Sequence, residues 1–478
     1  MQQDAPIVKK AVTDITLYGA TSFVARHVIT YLVQASVHLG EPLLLTLAGR
    51  NADKLQAIQQ EWTKKMELLL TATAGDDANQ MPGKCVIDVY TADAQDVDGL
   101  RRMAARTCVV LACAGPFAQY GSHVVAACAE FGTDYVDITG EMTWVADMRR
   151  QHGQRAAASG ARIVSLCGFD SVPSDLAIMA AVQALQKEVK GIQAEQAATW
   201  HSILGAANGG TLKTMQEYPL DLAYCFRQPV PFLVEDPLLL THPDIRNDPE
   251  SVQLKNKLAR TEWWNQFYHM HSFLMGGFSA PFFMAVVNAK VVHASAVALK
   301  YGSNFTYRER FLPVGFKGTR QMKTFSLIPA VMSHVFVLLC MFFLRLPVIG
   351  PLVLKLVGDV GTGPSDGLCA GGHAEVYAQV QGPVNPKTGM VDRANCFLKF
   401  KGDPGNWVTA QCVSEAALTL LLAAEEDLPP RSKDGFGTPA ELLGNALLQR
   451  LRNSPVRKVD FASSVRKATS QTEFRMFP

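Results

Sequence analysis

The chain has 478 residues, 48% of them apolar, which is enough for two domains or one large interleaved pair with sizeable cores. A net charge of +2 gives no electrostatic basis for nucleic-acid binding. Ten cysteines without CxxC or Cys/His spacing argue against a disulfide framework and a metal site, and fit reduced thiols in an intracellular protein.

The first element is an apolar strand containing Ile15, Leu17 and Tyr18. Gly19 then opens a tight turn in which a Cβ would obstruct a bound pyrophosphate. Val24, Val28, Ile29, Leu32 and Val33 recur at helical spacing, so a helix begins at Ser22–Phe23. Its N-terminal N–H groups and dipole would attract a phosphate. The glycine motif is degenerate: its best register, G-x-x-G-x-x-G, falls on Gly19, Ser22 and Ala25. Ser22 can cap the helix, and Ala25 still lets helix and strand approach closely.

A second strand, within Leu43 to Leu55, ends Ala48-Gly49-Arg50. A carboxylate at this point would suit the ribose hydroxyl of NAD, whereas an arginine suits the 2′-phosphate of NADP. Asp53 already belongs to the next helix, so Arg50 favours NADPH over NADH. The plainer alternative is a solvated arginine at a strand end.

Strand and helix patterns then alternate: Lys84 to Tyr90, Asp96 to Ala105, Thr107 to Phe117, Ser122 to Phe131, Asp134 to Glu141, Trp144 to Ser159 and Ala161 to Ala177. This predicts an α/β fold, a Rossmann-type doubly wound parallel sheet, with Ala72 to Lys84 as a surface insertion. Ligands bind beyond the carboxyl ends of such strands. Those ends carry Gly19–Phe23, Arg50, Asp88, Ala114–Phe117, Thr139–Glu141 and Gly168–Ser171. Gly115-Pro116 supplies a rigid turn with no side chain in the cofactor's way, or is simply a tight turn. Tyr120, Asp170 and Ser171 are candidates to protonate or orient a substrate. Ser171 could instead cap the helix from Val172, with Pro173 in its first turn, and Asp175 and Glu141 could be first-turn carboxylates. A Tyr-x-x-x-Lys pair in the helix after a strand-end serine is missing, so a short-chain dehydrogenase mechanism is not supported. Arg308 and Arg310 read as part of a charged, solvated stretch.

From Thr324 to Leu344 the only residue that can carry charge is His334, and the run is long enough to cross a bilayer core. Lys317, Arg320, Lys323 and Arg345 flank it, and a Pro/Gly-broken turn, Leu346 to Pro351, leads to a second apolar run. The pattern suits a hydrophobic hairpin or helix lying in a membrane or lipid-droplet surface. A buried or dimer-interface helix and a spanning helix are the alternatives.

GATSFVA, LAGR, CAGPFAQYG, ACAEFGTDYVDITGE and CGFDSVPSDLA occur in this order, followed by GGT at Gly209 to Thr211, APFFMAVVNAKVVHAS, GTGPSDG and GDPGNWVTAQCVSEAAL. Together they resemble the saccharopine dehydrogenase-like oxidoreductases, which include mycobacterial trans-acting enoyl reductases. The family's first turn usually reads GASGFTG, so Ser22 and Ala25 are departures. The resemblance implies a Rossmann domain over 10–175, an inserted α/β (α+β) second domain for substrate or dimer contacts over 176–400, and a segment 401–478 that returns to the first domain. The apolar, membrane-associating run 324–357 falls in the second domain. The resemblance also implies cofactor contacts at Gly19, Thr21, Ser22, Phe23, Val24, Arg50, Gly115 and Pro116.

The function expected is NADPH-dependent reduction of a C=C or C=O in a hydrophobic, lipid-like substrate at a membrane or lipid-droplet surface, with a homodimer left open. Two alternatives stand: a non-catalytic membrane or lipid-droplet protein that keeps the scaffold, and a saccharopine-type amino-acid dehydrogenase. The second lacks an Arg-rich middle segment to hold several carboxylates. No secretory signal is expected at the N-terminus.

Overall fold

A computed structural model describes residues 11–73, 83–206, 208–209, 236–248, 251–267, 270–272, 275–316, 322, 325–346, 349–357 and 362–470. Most of the expected insertion at 72–84, most of the GGT stretch, and Lys317, Arg320 and Lys323 lie outside the described residues.

The first domain is a parallel sheet built from β1 (Thr13–Tyr18), β2 (Leu43–Gly49), β3 (Cys85–Thr91), β4 (Thr107–Ala112), β5 (Asp134–Asp137), β6 (Ile163–Val164) and the late strand β13 (Phe436–Gly437). Its order, β13-β6-β5-β4-β1-β2-β3, reverses direction between β1 and β4, which opens a crevice at their carboxyl ends. Inner strands are apolar on both faces because helices cover both. Ile15 and Leu17 of β1 enter one core with α1 (Phe23–Ser36), while Tyr18 enters the other. That second core holds α3 (Val97–Ala105), α5 (Ser122–Phe131) and α6 (Met142–Ser159). Asp88 lies within β3 and not at its end.

The second domain is a mixed sheet in the order β14-β12-β11-β7-β10-β9-β8. Its strands are β7 (Gln196–Leu204), β8 (Met270–Ser272), β9 (Gly277–Pro281), β10 (Thr306–Phe311), β11 (His373–Gln381), β12 (Met390–Lys401) and β14 (Asp460–Ser470). Two features differ from the sequence expectation. The segment after residue 401 does return to the first sheet, through helix Thr409–Leu422 packed on α1, β4 and β5 and through β13. Its last strand, β14, then crosses back to pair with β12, because Phe461 and Val465 on it help cover the second-sheet core. A boundary at 175/176 would also cut α7 (Val172–Glu188), which follows β6 yet packs on β11, β12 and β14. The helix therefore joins the two sheets.

The stretch around Arg308 and Arg310 is not solvated. β10 is an inner strand, paired with β7 on one side and β9 on the other, and helices Ser251–Phe267 and Ala285–Ala298 pack on it. Arg310 is 3% exposed and Glu309 1%. Burial, with Arg308 nearby, lowers the Arg310 pKa to about 9.

The apolar run forms helix Leu327–Arg345, followed by the nine-residue helix Ile349–Val357. Among the described residues it is the one helix long and apolar enough to cross a membrane. One stripe docks on β9: Ser326, Ala330 and Leu344 are buried, and the Ser326 hydroxyl accepts from the Phe278 N–H at 2.6 Å. The opposite face is bare, with Ile328, Met332 and Phe336 each about two-thirds exposed (65%, 66% and 67%).

Chain order limits what this helix can do. The excursion leaves from β10 and returns to β11, and both strands pair directly with β7. A single crossing would place the two neighbours of β7 on opposite sides of a bilayer. The nine-residue helix, about 14 Å long, is too short to cross back through roughly 30 Å of hydrocarbon.

Asp175 ties α7 to the late segment: its carboxylate accepts from the Ala440 N–H at 2.8 Å. Burial pushes its pKa up to about 7, so the folded chain holds this proton more tightly than the unfolded chain. Its stabilising contribution is therefore complete below the ordinary aspartate range and is lost as pH rises towards and through 7. Asp175→Asn, neutral at every pH and still able to accept from Ala440, should show a smaller fall in urea midpoint between pH 4 and 8 than the parent. Parallel curves would contradict this assignment.

Candidate active site

At the end of β1, Gly19 adopts φ +80°, and a Cβ there would lie 2.7 Å from the Ala114 backbone. The glycine is thus required by the crossing of the β1 and β4 turns, beyond any need to clear a pyrophosphate. Its N–H donates to the Ala48 carbonyl at 2.9 Å, which fastens the β1 turn to the end of β2. Ser22 caps α1, accepting from the Ala25 N–H at 3.3 Å, and Ala25 is fully buried. The two replaced glycines therefore act as a cap and a packing contact.

Thr21 is exposed at the turn, whereas Phe23 and Val24 turn their side chains into the protein. The Phe23 ring packs edge-on against His27 and beneath Gly363, where a Cβ would approach to 2.5 Å. The backbone N–H groups of Phe23 and Val24 have no acceptor among the described residues, and the first turn of α1 holds no acid. Such a terminus is suited to a phosphate.

Arg50 is exposed at the tip of β2, with no carboxylate in ion-pair distance among the described residues. The neighbouring Asn51 caps helix α2 (Ala52–Thr73), its side chain accepting from the Lys54 N–H at 2.9 Å. Arg50 is therefore held on a firm strand end with its donors unspent. These residues fit a phosphorylated dinucleotide: the α1 terminus would hold the pyrophosphate and Arg50 the 2′-phosphate.

Past β4, Gly115 and Pro116, joined by a cis peptide, lead into a short helix Phe117–Tyr120. Glu141, read from sequence as a first-turn carboxylate of α6, clamps this turn instead. Its two carboxylate oxygens accept from the N–H groups of Phe117 (2.7 Å) and Ala118 (2.8 Å). Tyr120, at the end of that helix, is half-buried. Behind it, fully buried Asp137 knots the ends of β5 and β6, accepting from the Leu166 and Thr139 N–H groups and the Ser165 hydroxyl. Burial raises its pKa to about 6 despite these bonds.

The turn after β6 carries Asp170 and Ser171. Ser171 is buried and makes no cap bond to α7; its hydroxyl donates to the Asn288 Oδ1 at 3.2 Å. It belongs to a polar network that the sequence did not reveal, set between α7, β7, β10 and helix Ala285–Ala298. Glu309 Oε1 lies at its centre. It accepts from the Ser174 hydroxyl (2.5 Å) and Asn288 Nδ2 (3.1 Å) and sits 2.7 Å from His201 Nε2. His201 stacks flat on Phe282, with ring centroids 4.4 Å apart. The signal in the sequence was polar residues spaced two apart, Thr199/His201 and Tyr307/Glu309, within otherwise buried strands.

Asp170 is half-buried beside this network, and its carboxylate has no hydrogen-bond partner among the described residues. Burial, helped by Glu309, raises its pKa to about 6. The structure thus brings Asp170 and Ser171 together but gives them different surroundings, one free and one bonded. Among the described residues no His/Cys/Asp/Glu group could hold a metal, and the nine described cysteines form no disulfide with one another.

Residues 15–164 match the family model for the saccharopine dehydrogenase NADP-binding domain. A putative trans-acting enoyl reductase of Mycobacterium tuberculosis is 32% identical over 92% of this chain and 95% of its own length. A trans-acting enoyl reductase of Mycobacterium leprae is 28% identical over 93% and 96%. Among solved structures, saccharopine dehydrogenase (L-Glu forming) from Saccharomyces cerevisiae aligns with 95% of this chain and 100% of its own, at TM-score 0.44 and 11% identity.

Gly19→Ala tests the crossing of the two turns. Left-handed strain costs roughly 1–3 kcal/mol, and the contact with the Ala114 backbone adds to it. The variant should unfold at a lower temperature and bind NADPH more weakly. An unchanged melting temperature would show that the turn can relax at no cost.

Proposed function

The chain belongs to the saccharopine dehydrogenase-like oxidoreductases, with NADP(H) as its cofactor, and we propose that it reduces a C=C or C=O in a hydrophobic, lipid-like substrate at a membrane or lipid-droplet surface. The carrying observation is the bare apolar face of helix Leu327–Arg345, mounted on the same sheet as the polar network beside Asp170. Soluble proteins rarely expose a contiguous apolar patch of this kind without a use for it. Because β10 and β11 must stay on one side, the helix lies in the interface with its docked stripe on the protein and its free face in lipid. A substrate leaving the lipid would then meet the second domain first. The names of the relatives favour an enoyl group over a ketone as the reducible function. The location proposed is intracellular, on a membrane or droplet surface.

Bound NADPH supplies the hydride. The chain's own part is to fix the dinucleotide by the α1 terminus and Arg50, to shape the passage with the Glu141-clamped turn, and to hold a proton for the substrate. Saccharopine, which carries several carboxylates, is a poorer match. The conspicuous arginine of the middle segment, Arg310, is buried and bonded to Ser279.

Fluorescence titration with NADPH and NADH tests the cofactor assignment. Arg50→Ala should weaken NADPH about 10- to 100-fold, as expected for a charge-assisted contact of roughly 1.5–3 kcal/mol, and leave NADH unchanged. Equal loss for both would remove Arg50 from the 2′-phosphate site. Replacing residues 328–354 by a short linker should abolish flotation with liposomes while NADPH binding persists. A variant that still floats would place the membrane contact elsewhere.

A further inference from the structure

We propose that Asp170 is the proton donor of the reduction, and that Glu309 and His201 are positioning residues that hold the turn carrying it. This rests on the reductase reading above and assigns a step that reading leaves open.

Four observations converge. Asp170 follows β6, on the β4–β6 side of the sheet. In a doubly wound dinucleotide fold the two mononucleotide halves lie on opposite sides of the switch point. With Arg50 at the end of β2 marking the adenosine half, the nicotinamide half falls towards β4–β6. Second, the Asp170 carboxylate is half-buried and has no hydrogen-bond partner among the described residues, while every other acidic or hydroxyl side chain of its immediate turn and network is bonded. Third, it belongs to a first-domain turn whose next residue, Ser171, is bonded to Asn288, which is itself bonded to Glu309 of the second sheet, so it stands at the seam where a substrate held by the second domain would meet a cofactor held by the first. Fourth, the network behind it is fixed: Glu309 Oε1 accepts from Ser174 and Asn288, and Asn288 in turn accepts from Ser171, the residue next to Asp170.

Two carboxyl groups crowded into a poorly solvated site cannot both ionise readily. Glu309 is held by donors from Ser174 and Asn288, with His201 Nε2 2.7 Å away, whereas Asp170 has no such donors among the described residues. Burial, and to a lesser degree Glu309, raises the Asp170 pKa to about 6, so it holds its proton to higher pH than an ordinary aspartate. A carboxyl group raised in this way is suited to act as a general acid. His201, flat on Phe282, cannot swing away and so fixes Glu309 in turn.

A substrate that has gained a hydride is one proton short. It carries that deficit at the α-carbon of an enolate or at the oxygen of a former ketone. The Asp170 O–H bond breaks as the new C–H or O–H bond forms, and the carboxylate left behind takes a proton from water. No further oxidant or reductant is needed.

The test uses the full-length chain, NADPH, and two probes in detergent micelles: a long-chain 2-enoyl thioester of N-acetylcysteamine and a long-chain ketone. Asp170→Asn should lower kcat on the accepted probe by at least about 100-fold, the usual range for general acid catalysis, with NADPH affinity unchanged. Asp170→Glu should restore part of the loss, which a mere packing defect would not allow. Glu309→Gln should move the alkaline limb of the kcat–pH profile to lower pH and leave KM within a few-fold. Infrared titration of the NADP-bound protein should show, beside the bands of buried Asp137 and Asp175, a protonated carboxyl component that is lost in Asp170→Asn and that disappears as pH rises through about 6. Asp170→Asn turnover within threefold of the parent, or an infrared band indifferent to the substitution, would overturn the assignment while the reductase reading stands. If the parent reduces neither probe, the reductase reading itself fails and the proton donor falls with it.

Discussion

Helix Val172–Glu188 is buried on nearly every side, and the rest of the molecule is arranged around that constraint. It begins at the carboxyl end of a Rossmann strand and ends under the second sheet, so its N-terminal polar residues need partners from both domains. Ser171 reaches Asn288, Ser174 reaches Glu309 and Asp175 reaches Ala440. A buried polar group without such a partner would cost several times what each bond contributes, so the two domains must be seated correctly before the helix can pack. The same requirement places Asp170 at the seam. A residue one position earlier in the chain than a fully committed serine is left with room and no partner.

The second sheet carries a comparable constraint. With β10 and β11 both paired to β7, the chain between them can leave and return but cannot change sides. That turns a helix of spanning length into a surface element. It also explains the uneven burial, in which a stripe through Ser326, Ala330 and Leu344 belongs to the protein and the remainder does not. Cofactor site and apolar face are thus mounted on two sheets joined by one helix.

Much of this was legible in the sequence. The alternation of apolar strands and amphipathic helices gave all six early strands in order, because period and turn chemistry are local properties. Ser22 could be read as a cap and Ala25 as a packing contact for the same reason. What local pattern could not carry was tertiary pairing. Arg308 and Arg310 look solvated in isolation, yet helices Ser251–Phe267 and Ala285–Ala298 pack on β10. Ser171 has the type and position of a cap, yet a distant asparagine competes for its hydroxyl. Glu141 looks like a first-turn acid, yet it reaches back 24 residues to hold the Phe117 N–H. The last strand, β14, gave no sign of which sheet it would join. Gly19 was identified for the right conformation, although the backbone it must avoid is that of Ala114.

The central claim is that hydride passes from NADPH to a lipid held at this seam. Its most direct measurement is incubation of the full-length chain with NADPH deuterated at the reactive nicotinamide carbon and a total membrane-lipid extract, followed by mass spectrometry of the lipids. The account predicts one lipid class gaining a single deuterium, dependent on the protein and diminished without residues 328–354. Binding of NADPH with no deuterium entering any lipid would contradict it.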